Sequence, residues 1–152
     1  MKSSVTVLSP SSALTQRLGT AYARQLDAGN RDGAAVIFLQ GDLGSGKTTF
    51  VKGFLKAFGI VPRGASPTFV LMKHYRVGRR GAGVAHIYHY DAYRLSSAAD
   101  LGVLGFFDAV GDPRAVILIE WPEKISNRAL RPMHRIRFAY GALPHERLLS
   151  FS

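Results

Sequence analysis

A chain of 152 residues that is 47% hydrophobic is long enough to bury one core and short enough to argue against a second, so a single domain over residues 1–152 is expected. With no cysteine it has no disulfide, no thiol nucleophile and no Cys-ligated zinc or iron–sulfur cluster, which fits a reducing cytosol. A formal charge of +10 suits a polyanionic partner or nucleotide substrate. It equally suits a solvated basic surface, because the arginines (Arg76, Arg79, Arg80, Arg128, Arg131, Arg135, Arg137, Arg147) are scattered and not packed into one run. The first residues carry no apolar run of signal-peptide length and no later segment reaches membrane-spanning length, so a cytoplasmic protein with no membrane partner is expected.

Residues 5–8 read as a short strand ended by Ser9-Pro10, and Ser11 or Ser12 caps a helix to about Leu26, with Ala13, Leu14, Leu18, Ala21, Tyr22 and Leu26 at helical spacing. Residues 34–39 form a continuous apolar run, the mark of a strand buried on both faces. Residues 47–58 follow as an amphipathic helix with Phe50, Val51, Phe54, Leu55 and Phe58 on one side and Gly59 as its stop. Residues 68–77 and 85–90 are aromatic-rich strands joined by the glycine-rich stretch 78–83, a hairpin tip. Ser97 opens a short helix running through Leu101 to Val110, and residues 115–119 make a second fully apolar strand ended by Glu120 and Trp121-Pro122. Residues 135–140 and 147–151 read as a closing hairpin around Gly141-Ala142-Leu143-Pro144.

Between the first apolar strand and its helix lies Gly41-Asp42-Leu43-Gly44-Ser45-Gly46-Lys47-Thr48, which matches G-x-x-x-x-G-K-[ST] at every fixed position. Glycines let the backbone curl so that successive N–H groups face an anion. Lys47 neutralises the β- and γ-phosphates, the Thr48 hydroxyl can ligate Mg²⁺, and the helix beginning at Lys47 adds its positive end. Thr49, next on that helix, completes the phosphate-binding set. Chance produces the pattern in a chain this long on the order of once in a hundred cases, so its placement after a buried strand and before a helix is what makes it credible.

Such a loop needs an acid at the end of a neighbouring buried strand to hold Mg²⁺ and its waters. Two positions qualify. Glu120 closes the apolar strand 115–119, where a Walker-B-type acid belongs, and Asp91 closes the strand 85–90, where an ionised group needs a cation or several donors. Either is otherwise an ordinary strand-end acid capping a turn. Ser66-Pro67-Thr68-Phe69 occupies the place where nucleotide switches carry a γ-phosphate-sensing Thr, although Thr68 is also simply a β-former. No Asn-Lys-x-Asp guanine reader occurs, which favours ATP/ADP. Trp121, beside Glu120, lies near the nucleotide or is a packed anchor.

Taken together, GDLGSGKTTF (41–50), SPTF (66–69), YHYDAYRL (88–95) and IEWPEK (119–124) resemble the TsaE family of bacterial tRNA threonylcarbamoyladenosine biosynthesis, over about residues 5–140. The resemblance implies an α/β P-loop NTPase domain whose central mixed, mostly parallel sheet is flanked by helices, with a C-terminal β-hairpin. It implies that Lys47 and Thr48 hold phosphate and Mg²⁺ and that Thr68 acts in a switch-like loop. It also places Asp91 and Glu120 at the metal and attacking water, and Trp121 close to the nucleotide. The activity implied is a partner-dependent, Mg²⁺-requiring ATPase acting with TsaD and TsaB, its cycle supporting modification of adenosine 37 of certain tRNAs, with tRNA engaged indirectly. Ala92 stands where the family motif usually carries a larger apolar residue. Two other classes compete: a small-molecule kinase, with Arg76, Arg79 and Arg80 as a lid, and a non-catalytic RNA-binding module with a vestigial loop.

Overall fold

The structure is a computed structural model that describes residues 4–26, 31–63, 70–78, 83–125 and 130–152. Strand β1 (Val5–Ser9) leads into α1 (Ser12–Gln25), whose first turn is capped by Ser11: its Oγ accepts from the Leu14 N–H at 3.2 Å. The apolar run folds as β2 (Ala35–Gln40) and the glycine loop opens α2 (Lys47–Lys56). Then come β3 (Met72–Arg76), β4 (His86–Asp91), the short helices α3 (Ala98–Val103) and α4 (Phe106–Val110), β5 (Ala115–Glu120), β6 (His134–Tyr140) and β7 (Arg147–Phe151).

The strands form one seven-stranded sheet in the order β1-β7-β6-β2-β5-β4-β3. Its centre is parallel, β6 to β2, β2 to β5 and β5 to β4, and its margins are antiparallel, β3 on β4 at one side and the β6–β7–β1 run at the other. The two continuous apolar runs became the two most central strands, as burial on both faces requires. Every residue of β5 is buried.

Two apolar layers sandwich the sheet. Helices α1 and α2 cover one face, where Phe50, Phe54 and Leu55 pack on Ile37, Leu39, Val116, Leu118 and Ile136. Phe50 and Phe54 are fully buried, so truncating either to Ala costs about 3–5 kcal/mol. The two helices touch backbone to backbone: a Cβ on Gly53 would lie 1.9 Å from the Gln16 carbonyl oxygen, and Thr20 Oγ1 donates to the Gly53 carbonyl at 2.7 Å. The opposite face is covered by α3 and α4, with Tyr90, Leu101, Phe106 and Ala109 against Val36, Phe38, Ile117 and Ile119.

Three differences from the sequence reading have local causes. The helix expected from Ser97 to Val110 is broken in two, because Gly105 adopts φ +75° and starts a new turn that swings Phe106 into the core. Helix α2 ends at Lys56, two residues early, in a turn closed by Gly59 at φ +72°. Strand β3 begins only at Met72; residues 68 and 69, expected at its start, lie outside the described set, as do most of the 78–83 tip and Thr68 itself.

Candidate functional site

The loop is placed by its neighbours on both sides. Strand β2 delivers Gln40 to the carboxyl edge of the sheet, and the chain turns through Gly41, Gly44 and Gly46 at φ +149°, +74° and +105°, values that side-chain-bearing residues rarely adopt. At Gly41 the space is also closed, since a Cβ would lie 2.5 Å from the Phe138 carbonyl oxygen. Gly46 is the N-cap of α2, so the helix points its N-terminal amides into the loop. The Ser45 hydroxyl is buried without a partner among the described residues.

Lys47 is only 4% exposed. Its ammonium donates to the carbonyls of Gly41 and of Asp42, the latter at 2.9 Å, and lies 4.1 Å from the centre of the Trp121 ring. Burial pulls its pKa below the ordinary lysine value, opposed by the charges of Glu120, Glu123, Asp42 and Asp91.

The two acids meet through strand register. In the parallel β4–β5 ladder Asp91 pairs with Glu120, so two carboxylates far apart in sequence end side by side, 6% and 3% exposed. Burial, and then the Glu120 charge, raises the Asp91 pKa, while the Tyr93 backbone N–H, donating to Asp91 Oδ1 at 3.0 Å, and the charges of His89 and Lys47 pull the other way. Glu120 Oε1 takes a 2.8 Å hydrogen bond from the ring Nε2 of His89, itself 2% exposed, and lies 3.5 Å from the Thr48 hydroxyl.

Trp121 is the only non-glycine residue with positive φ (+57°) among the described residues, a conformation that costs about 1–2 kcal/mol. Its backbone N–H donates to the Leu39 carbonyl at 3.3 Å, and its ring meets Tyr93 edge to face at 5.1 Å. Lys47, Thr48, Asp91, Glu120, Trp121, Leu43, Gly44 and Tyr93 thereby line one cavity of about 320 Å³.

On the other side of the loop a polar cavity of about 210 Å³ is lined by Ser12, Thr15, Gly44, Gly46, Thr49, His145 and Arg147. Among the described residues, the candidate site residues Gly41 to Thr49, Asp91, Glu120 and Trp121 all lie in the loop or beside it; Thr68 lies outside the described residues. His89 was missed, although the two-residue period of β4 puts it on the same face as Asp91 and so announces a third polar group there. Tyr140 and Arg147 had no such signal, since a strand residue 97 or more positions from the loop shows nothing of its contact with it.

A family model described as "Threonylcarbamoyl adenosine biosynthesis protein TsaE" matches residues 9–147. The chain belongs to the TsaE family. A TsaE protein of Bacillus subtilis is 40% identical over 103 residues, which cover 67% of this chain and 58% of that protein. One of Haemophilus influenzae is 35% identical over 108 residues, 71% of this chain and 65% of that protein. The matched stretches thus span less than two thirds of these relatives. The crystal structure of Bacillus subtilis YdiB superposes with a TM-score of 0.64 at 28% identity, covering 99% of this chain and 86% of that one. Among the described residues no helix is long and apolar enough to cross a membrane.

Proposed function

We propose that this TsaE-family chain is a Mg²⁺-dependent ATPase that acts with TsaD and TsaB homologues in forming threonylcarbamoyladenosine at position 37 of tRNA, in the cytoplasm, engaging tRNA through those partners. The observation that carries the reading is the single cavity in which Lys47, Thr48, Asp91 and Glu120 converge beside a loop of positive-φ glycines.

N–H groups of the loop and of the α2 N-terminus cradle the phosphates, and Lys47 leaves the Gly41 and Asp42 carbonyls to neutralise the β- and γ-phosphates. The donors suit Mg²⁺: two carboxylates and a hydroxyl are hard oxygen ligands, and no cluster of three His, Cys, Asp or Glu forms a protein-only cage among the described residues. Thr48, Glu120 and Asp91 would hold it, and when bound it supplies charge neutralisation at the phosphates. Glu120, its Oε1 engaged by His89, and Asp91 orient the attacking water. Thr68 senses the γ-phosphate, and its loop passes that state to the partners.

ATP turnover by the isolated protein, then with TsaD and TsaB homologues and tRNA added, tests the reading. Stimulation by the partners, together with a loss of about 100-fold or more in binding or turnover for Lys47→Ala, supports it. Unchanged affinity and turnover in Lys47→Ala would sink it, and stimulation by a small hydroxyl-bearing metabolite would make the protein a kinase. Equal partner affinity with ADP and with a non-hydrolysable ATP analogue would remove Thr68 from the account.

A further inference from the structure

A loop that offers N–H groups to an anion leaves its carbonyls in need of other partners. All four carbonyls from Gly41 to Gly44 have one. Those of Gly41 and Asp42 accept from Lys47, and Asp42 also accepts from the Ser45 N–H at 3.1 Å. The carbonyl of Leu43 accepts from the Tyr140 hydroxyl, and that of Gly44 accepts from Arg147 Nε at 3.2 Å.

Tyr140 and Arg147 are built as a unit. They face each other as a cross-strand pair in the β6–β7 ladder, with the guanidinium 4.7 Å from the Tyr140 ring centre. Arg147 Nη1 is held by the carbonyls of Pro144 and Glu146, both at 2.7 Å, which fixes the fork and leaves Nε aimed at the loop. The loop tip has little else to hold it: Leu43 is 83% exposed. The fit at Gly44 is close as well, since a Cβ there would lie 3.0 Å from the Tyr140 hydroxyl.

We infer that the closing hairpin is a brace for the phosphate loop, and that Tyr140 and Arg147 are positioning residues that hold the Leu43 and Gly44 carbonyls away from the anion. This rests on the phosphate-binding reading above. The brace matters most once the phosphates draw Lys47 off the Gly41 and Asp42 carbonyls, because the hairpin contacts then hold the outer side of the loop.

The test measures ADP and ATP affinity by calorimetry for Tyr140→Phe, Arg147→Lys, Arg147→Met and the Tyr140→Phe/Arg147→Met double variant, with Lys47→Ala alongside. Hydrogen exchange of the loop amides is followed in the ligand-free proteins. Tyr140→Phe, which removes one hydroxyl and keeps the ring, weakens binding about three- to tenfold, and the double variant weakens it further. Arg147→Lys keeps the charge but loses the planar fork and does not restore affinity. Loop amides exchange faster in the weakened variants while those of β2 and β5 do not.

Unchanged affinity in Tyr140→Phe and in the double variant, with Lys47→Ala defective, overturns the brace and leaves the site standing. Full affinity in Arg147→Lys combined with no effect of Tyr140→Phe makes Arg147 a direct charge contact and also overturns it. Normal binding by Lys47→Ala overturns the underlying reading instead. Should Arg147→Met fail to fold, Tyr140→Phe and its exchange profile decide alone.

Discussion

The phosphate loop stands between two walls that differ in almost every physical respect. The wall made by β4 and β5 is buried and charged: Asp91, Glu120 and His89 are all under 7% exposed, and their positions follow from the register of a parallel ladder at the centre of the sheet. The wall made by the β6–β7 hairpin is open. Tyr140 is 49% exposed, and its partner Arg147 reaches the loop through carbonyls, with no carboxylate in the contact. A buried acid is destabilising until a cation joins it, so on the proposed function the first wall holds charge for chemistry. The second holds shape.

If that division is right, the two walls fail differently. Glu120→Gln and Asp91→Asn should each lower ATP turnover by about 100-fold or more while calorimetry shows nucleotide affinity within about tenfold of the parent, because the loop's amides and Lys47 remain in place. Normal hydrolysis by both variants with partners present would make the acid wall mere packing.

A smaller effect is expected from Gly44→Ala, which loads both the loop and its brace. The residue has φ +74° and the added methyl would press on the Tyr140 hydroxyl, so ATP affinity should fall about tenfold and the thermal midpoint should drop by a few degrees. Wild-type affinity there would mean that the open wall yields freely and does not shape the loop.

Trp121 tests the charged wall alone. On the proposed function Lys47 leaves the Trp121 ring when phosphate arrives, so indole emission should change saturably as ATP and Mg²⁺ are titrated. The response should vanish in Lys47→Ala and persist in Glu120→Gln. A flat titration alongside binding proven by calorimetry would make Trp121 a packing anchor.

The smallest expected effect lies at the outer margin of the same wall. On β3 the His74 ring stacks on Tyr88 at 4.5 Å, and its Nε2 lies 3.0 Å from His86 Nδ1. Partial burial, His86 and Arg76 hold the His74 pKa below its ordinary 6.5. The folded protein then binds this proton less readily than the unfolded chain, so stability declines as pH falls below about 6.5 and is unaffected above it. Denaturant melts of His74→Gln should show a slightly shallower loss between about pH 6.5 and 5. An identical slope would mean that the margin carries no titrating load, and that unpaired cost is confined to the inner acids.

Much of this was legible in the chain itself, for reasons that are local. A strand buried on both faces has to be apolar throughout, a phosphate loop has to place its glycines, Lys and Thr at fixed spacing, and a capping Ser has to stand before its helix; residues 34–49 and the pair Ser11-Ser12 say so in order, and the structure chose Ser11 as the cap. Asp91 and Glu120 could be nominated because an ionised group at the end of an apolar run is conspicuous wherever it pairs. What only the tertiary structure decided is which distant residues share an edge. The β4–β5 register made neighbours of the two acids, the same sheet brought His89 onto Glu120, and the antiparallel margin carried Tyr140 and Arg147 back to a loop 97 and 103 positions earlier. A hairpin such as β6–β7 is announced by its turn, but pairing between strands distant in sequence satisfies backbone groups that are alike in every residue, so which of them meet, and which side chains then touch, is set by the packing of the whole sheet.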